Sequence, residues 1–185
     1  MSRRDDGSDM STGRMTLYIA TSVDGFVAAE DGGVEWLDAF GGDDGTEHYE
    51  AFLADVDCLV MGATTYEQVL GFGEWPYGER PTVVVTHRDL PLATDAVELY
   101  EGDLDDLARD LTAQYDHVWL VGGAQVARTL LRLGRVDTLR LSVVPVVLGR
   151  GVPLFDGDGK RTDLHIVDTT AFESGVVELR YRVGT

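Results

Sequence analysis

Three segments of this chain bring backbone and side chains suited to gripping anions to the ends of apolar runs. They are Met61-Gly62-Ala63-Thr64-Thr65, Val85-Thr86-His87-Arg88, and Val121-Gly122-Gly123-Ala124, the last continuing into Gln125 and Val126. In each, a run that reads as a buried strand passes into small or hydroxyl residues, and open α/β sheets bind ligands outside the carboxyl ends of such strands. The first and third segments open helices, whose free N–H groups and dipole attract phosphate. Glycine there lets the main chain approach an anion closely. The second offers a hydroxyl, an imidazole and a guanidinium, a plausible grip on one further phosphate. Taken singly, each has an ordinary explanation: a Gly-Gly pair is often a tight turn, Thr64 or Thr65 can cap a helix, and His87 and Arg88 can stand in solvent. Their coincidence at one sheet edge favours a ligand site. Neither G-x-G-x-x-G nor G-x-x-x-x-G-K-[ST] occurs, which excludes a Rossmann fingerprint and a P-loop.

The elements that must position these segments follow from hydrophobic periodicity. Strands are expected over 15–20, 57–61, 82–86, 96–99 and 117–121, mostly short continuous apolar runs. Helices are expected over 46–54, with Thr46 as its cap, and over 64–70, 103–114 and 124–133, with Asp103 capping the third and Gly134 ending the fourth. Residues 29–45, rich in Gly and Asp, read as the longest irregular stretch, a candidate lid or binding loop. Residues 138–145 and 176–183 alternate instead, with Leu139, Leu141 and Val143 on one face of the first. In the second, Val177, Leu179, Tyr181 and Val183 oppose Glu178, Arg180 and Arg182. Such alternation signals half-exposed antiparallel strands. The sum is an α/β chain with a mixed sheet and helices on both faces.

Composition narrows the function. The chain has 185 residues, enough for one domain with a sizeable core, preceded by a polar tail over 1–13 expected to be disordered. The 33 acidic residues outnumber the 15 basic ones, giving a net charge of −18, a field that repels nucleic acid and anionic membranes. Lys160 is the only lysine. Lysine depletion fits an arginine-favouring, GC-rich genome, but the acid excess fits a halophilic protein better. The single cysteine, Cys58, sits in an apolar run and reads as a buried thiol of a reducing cytoplasm. The four histidines stand alone, so no metal site is expected. No apolar stretch approaches the roughly 20 residues that span a bilayer.

The chain resembles the dihydrofolate-reductase-like superfamily, especially its riboflavin-type branch, typified by the C-terminal reductase domain of bacterial bifunctional deaminase-reductases. The resemblance runs from about Met15 to Val183. It rests on Thr21-Ser22-Val23-Asp24-Gly25-Phe26-Val27-Ala28, on Leu59 to Glu67, on Val121-Gly122-Gly123-Ala124, and on Pro145 to Phe155. It implies a three-layer α/β/α fold with a mixed, mainly parallel eight-stranded sheet and antiparallel C-terminal strands. It also implies NADPH as hydride donor, a small heterocyclic substrate and a homodimer, for which the apolar run from Val143 to Leu148 offers an interface. By the same resemblance, Ala20 meets the nicotinamide carboxamide through its backbone. Thr65, joined by the backbone around Gly123 to Val126 (Gly123, Ala124, Gln125 and Val126), binds the pyrophosphate, and Gly62, Ala63, Thr64, Val121 and Gly122 complete the cofactor site. Thr86, His87 and Arg88 hold the adenosine 2′-phosphate. Gly122-Gly123 falls where dihydrofolate reductases have a cis peptide.

Departures from the pattern matter as much. The family usually has Arg where Ala63 stands, which removes a cation from the 2′-phosphate pocket and leaves NADH or a deazaflavin as alternatives. The helix carboxylate that assists proton transfer in dihydrofolate reductases has no secure match, because the register between Trp36 and Gly62 is broken. Asp44 and Glu47 are the nearest candidates, then Asp43. Asp24, Trp36 and Ser142 are assigned to the substrate side. The expected activity is therefore reduction of a pteridine- or pyrimidine-like heterocycle, with the riboflavin-pathway reduction and a non-catalytic cofactor-binding module as the alternatives.

Overall fold

The computed structural model describes residues 13–157 and 161–184. The expected tail therefore lies outside the described residues, apart from Gly13, whose N–H donates to the Thr112 carbonyl at 2.7 Å.

Among the described residues, ten strands follow one another as β1 (Arg14–Ser22), β2 (Phe26–Ala28), β3 (Cys58–Gly62), β4 (Thr82–Val85), β5 (Val97–Tyr100), β6 (His117–Gly122), β7 (Thr138–Val144), β8 (Val152–Pro153), β9 (Leu164–Ala171) and β10 (Val177–Val183). Four α-helices are interleaved: α1 (Asp43–Ala54), α2 (Ala63–Gly71), α3 (Leu104–Gln114) and α4 (Ala124–Arg132). The main sheet has eight strands in the order β5-β4-β3-β6-β1-β7-β10-β9. All neighbours from β5 to β7 are parallel, whereas β10 runs antiparallel to β7 and to β9. The expected three-layer fold with a mixed, mainly parallel sheet is what the chain adopts.

The layers follow from the side-chain period of two along each strand. Met15, Leu17, Val60, Val118 and Leu120 face Leu107, Leu111, Ala127 and Leu130 of α3 and α4. On the other face, Leu59, Met61, Val84 and Trp119 pack under Phe52 of α1, Val56 just beyond it, and Tyr66 and Val69 of α2. The central strands are thus covered on both faces, which is why they read as continuous apolar runs. Cys58 is fully buried, and burial pushes its thiol up to about 12.

Three expectations change. The stretch 29–45 is not irregular throughout: a 3-10 helix occupies Glu35–Phe40, and α1 begins at Asp43 with Gly42 as its cap. Thr46 lies inside that helix, its hydroxyl donating back to the Gly42 carbonyl at 3.0 Å. The alternating C-terminal strands do not turn all their charges to solvent, since Arg140 and Glu178 are buried, at 8% and 3% exposure. Strand β9 has no counterpart among the expected elements. All but one of its residues are exposed, so its sequence carries little of the hydrophobic pattern by which strands are recognised.

Candidate active site

Strand ends and helix starts build a cavity of about 800 Å³ at the carboxyl edge of the parallel strands. It is lined by Ala20 of β1, by Gly62 to Thr65 at the β3–α2 junction, by Thr86, His87 and Arg88 after β4, and by Val121 to Val126 at the β6–α4 junction. The fourteen residues expected to hold a dinucleotide therefore meet in one place. They converge because each segment follows a parallel strand of the same sheet.

Two helix N-termini line the cavity. The N-cap residues of α2 and α4 are Gly62 and Gly123, and neither helix has a side-chain capping hydrogen bond. Thr64 and Thr65 are therefore not caps. By contrast, α3, outside the site, is capped by Asp103, whose carboxylate accepts from the N–H groups of Asp105 and Asp106. The first-turn N–H groups of α2 and α4 have no such acceptor, the arrangement that suits an anion. The glycines make the approach possible. A Cβ on Gly123 would stand 3.3 Å from the Thr65 hydroxyl, and one on Gly122 only 3.2 Å from Ile19 Cδ1. Gly122 also has φ of 140°, and its peptide to Gly123 is cis.

Strand pairing opens the slot next to Ala20. Strands β1 and β6 are paired from Arg14↔His117 to Leu17↔Leu120, whereas the pairing of β1 with β7 continues through Ala20↔Ser142 to Ser22↔Val144. The β3–β6 register also shifts, so that Met61 pairs with Gly122 and skips Val121. The edge of β1 at Ala20 and the end of β6 thus border the cavity from opposite sides.

Charge beside Thr86 is partly neutralised. The Arg88 guanidinium makes a two-pronged ion pair with Glu67, at 3.0 and 2.7 Å, and His87 lies 3.0 Å from Glu101. The cation missing at Ala63 is therefore not simply replaced by Arg88. Arg128, one turn into α4, lines the cavity and was not among the expected residues. Its position four residues after Ala124 on a helix opening at the site is the signal that could have found it. Gln68, also unexpected, lines the cavity and fastens the loop above by donating to the Gly32 carbonyl at 2.6 Å.

The residues assigned to substrate and proton transfer do not gather in the same way. Asp24 receives the Ser22 hydroxyl at 2.6 Å and the N–H groups of Leu148 and Gly149 at 3.1 and 2.7 Å. The Ser22 hydroxyl, helped by those N–H groups, holds its carboxyl below the usual range. This is a clamp between two loops rather than an open ligand, and Asp24 does not line the cavity. Trp36 sits between two cavity-lining residues, Val34 and Leu37, with a buried indole N–H that has no partner among the described residues. Ser142 adjoins Ala20 across the strands, and its hydroxyl acts to lower the Tyr18 hydroxyl's pKa. Glu47 is exposed on α1 and does not line the cavity. The side chain of Asp44 lies outside the described residues.

What sequence reading missed is a buried polar cluster beside Ser142. Glu178 accepts from Arg140 Nε at 2.9 Å and Nη2 at 2.6 Å, and its Oε1 lies 3.0 Å from His48 Nε2. Burial alone would raise this carboxyl, but the adjacent guanidinium reverses the balance and holds it below its ordinary value. The same burial, with the Glu178 charge nearby, pushes the Tyr18 hydroxyl up to about 12.

A sheet of this topology, with ligand-ready helix starts at its carboxyl edge, is a reductase-like fold. Residues 14–178 match the model of the RibD C-terminal domain, and the chain belongs to that family. The uncharacterized protein YwjB of Bacillus subtilis (strain 168) is 34% identical over 170 residues, spanning 91% of this chain and 97% of YwjB. A putative riboflavin biosynthesis protein from Shewanella sp. PV-4 superposes with a TM-score of 0.81 at 26% identity, covering 93% of this chain and 99% of that one. Dihydrofolate reductase from Enterococcus faecalis, solved with NADP(H), shares the fold at a TM-score of 0.64 and 17% identity, with 94% and 98% of the chains covered. Among the described residues, no helix is long and apolar enough to cross a membrane.

Proposed function

We propose that this protein is an NADPH-dependent reductase of a pteridine- or pyrimidine-like heterocycle. The observation that carries the reading is the single cavity formed by the three anion-gripping segments, with two uncapped helix N-termini facing into it. The first-turn N–H groups of α2 and α4, with the Thr65 hydroxyl, hold the pyrophosphate. Thr86, His87 and Arg88 hold the adenosine 2′-phosphate, and the β1 edge at Ala20 orients the nicotinamide carboxamide. When bound, a dihydronicotinamide supplies hydride. The chain's own residues hold it in place, exclude water and set the heterocycle against it.

A homodimer is part of this reading, but Val143 and Val144 belong to β7, between β1 and β10, and cannot offer a free strand edge. The better surface is the edge strand β9, where Ile166 and Val167 are exposed. Beside it an apolar cavity of about 500 Å³ is lined by Leu131, Leu139, Phe155 and Leu164. Light scattering should give the mass of two chains.

The test is a binding titration with NADPH, NADH and a reduced deazaflavin, followed by oxidation assays. The assay panel contains dihydropteridines, ribosylamino-pyrimidine phosphates and small cyclic imines. NADPH should bind most tightly and be oxidised with at least one panel compound. Tight NADPH binding with no turnover would leave a cofactor-binding module. No binding of NADPH would sink the reading.

A further inference from the structure

The cavity of about 500 Å³ beside β9 shares only Arg128 with the first cavity among the described residues. Helix α4 presents Arg128, Leu131 and Arg132 to it, at the i, i+3 and i+4 spacing of one helix face. Leu139 of β7, 1% exposed, is the most deeply buried of its apolar residues. Leu164 opens the edge strand β9 and pairs with Val183 of β10. Paired residues share one face of a sheet, and Val183 packs against the core under α3 and α4. Leu164 therefore points to the helix-covered face, yet 39% of it stays exposed. Phe155, directly after the fully buried Leu154, is 54% exposed. Pockets for small ligands are of this size and character, with mostly apolar walls and a few polar groups that fix orientation.

The charged part of the lining runs against the rest of the molecule. In the whole chain 33 acidic residues face 15 basic ones. Here Arg128, Arg132 and Arg161 meet Asp156, the only carboxylate among the described lining residues. Asp156 is already taken by Arg128 at 3.2 Å. Asp163 holds Arg161 through Nε and Nη2, at 2.8 and 2.7 Å, and Arg132 reaches the Thr129 hydroxyl at 3.4 Å. A guanidinium carries several N–H donors in a fixed fork, so these contacts orient Arg132 and Arg161 without exhausting them. An apolar concavity with a cationic rim, on a chain this acidic, is complementary to an anion that carries an apolar body.

We propose that this cavity is a second ligand site, for a small amphipathic monocarboxylate. The apolar body lies against Leu131, Leu139, Phe155 and Leu164, and the carboxylate meets Arg132 and Arg161. Arg128 is left to Asp156. A single negative charge fits best, because the net charge of −18 opposes each further one. The site stands apart from the reductase reading. It is also separate from the strand edge offered to a second copy, since Ile166 and Val167, further along β9, do not line it.

Three ligands of one chain length separate this site from plain adsorption: octanoate, octanol and octylammonium, titrated into the full chain and followed by amide shifts in ¹⁵N-labelled protein. A protein of this net charge that only adsorbs alkyl chains favours the ammonium and disfavours the carboxylate. A built site gives the reverse order. Octanoate should bind at least about tenfold more tightly than octanol, through charge-assisted hydrogen bonds, and octylammonium most weakly. The shifts should centre on Leu131, Phe155 and Leu164. No octanoate binding, or an order led by octylammonium, overturns the proposal. So do shifts centred on Gly62 and Gly123, which put the anion in the first cavity.

Variants then divide head from tail. Arg132→Gln with Arg161→Gln changes two exposed side chains, and should bring octanoate down to the affinity of octanol while leaving octanol unmoved. Phe155→Ser alters the apolar wall alone and should weaken octanoate and octanol alike. An undiminished preference for octanoate in the double variant, or no effect of Phe155→Ser on either ligand, overturns the assignment. Octanoate binding that weakens as protein concentration rises, in step with the mass from light scattering, shows a second copy filling the cavity and overturns it as well.

Discussion

Two regions of the molecule are built from different materials. The cavity half is largely backbone: helix starts at Gly62 and Gly123 without side-chain caps, a bulge at Val121, and a strand edge at Ala20. The α1 half is made of side chains, with Glu178, Arg140, Tyr18 and His48 locked together on the sheet face. Backbone donors cannot titrate and tolerate many sequences provided glycine stays where the chain must come close. A buried ion pair depends on each partner, because removing one strands the other. The first half is suited to holding a constant ligand, the second to holding a buried carboxylate charged.

That contrast can be broken most forcefully at Arg140. Arg140→Met leaves Glu178 buried and unpaired, which should cost about 3–5 kcal/mol in urea unfolding. Replacing both partners together, as Arg140→Met with Glu178→Leu, should restore most of it. The pH dependence should invert as well. In the wild type, the Glu178 carboxyl is held below its ordinary value, so the stability it contributes is present above about pH 4.3 and lost as pH falls through the folded-state value. In Arg140→Met, burial is opposed only by His48 and Tyr18, so that carboxyl should rise and the variant's deficit should narrow as pH falls from 7 to 4. An equal deficit at both values would show that the charge is not what matters.

At Gly122 the comparison is sharpened from the other side. Gly122→Ala places a Cβ 3.2 Å from Ile19 Cδ1 at φ of 140°. The strain should cost about 1–3 kcal/mol of stability and weaken NADPH binding at least tenfold by titration. Unchanged NADPH affinity would mean the cavity is not a backbone cradle. The smallest effect is expected at Glu67. Glu67→Gln frees Arg88 from an exposed ion pair of the kind worth about 0.2–1 kcal/mol, so the preference for NADPH over NADH should rise by about two- to fivefold, most clearly at low salt. An unmoved ratio would remove Arg88 from 2′-phosphate recognition.

The difference between the halves also explains what could be read early. Gly-Gly before a helix and threonines after an apolar strand are local signals, and the fourteen cavity-lining positions were legible because each lies within a few residues of its own strand. Arg128 escaped because it sits a full turn inside its helix. Glu178 and Arg140 looked like the solvent side of alternating strands, since period two shows which residues share a face but not what covers it. Here α1 covers that face, and α1 arrives from more than 80 residues earlier in the chain. Asp24 stood in a recognisable motif, yet its carboxylate is used by Leu148 and Gly149, partners that only folding brings near.

By itself, then, the sequence determined the sheet-and-helix alternation, the parallel core strands and the three anion-gripping junctions, because these depend on hydrophobic period, glycine and helix starts, all encoded within short windows. Tertiary structure alone decided that the junctions share one cavity, that β9 forms an exposed edge, and that a glutamate, an arginine and a histidine separated by up to 130 residues meet under α1. Charge burial is a property of what packs above a residue, and no local pattern records that.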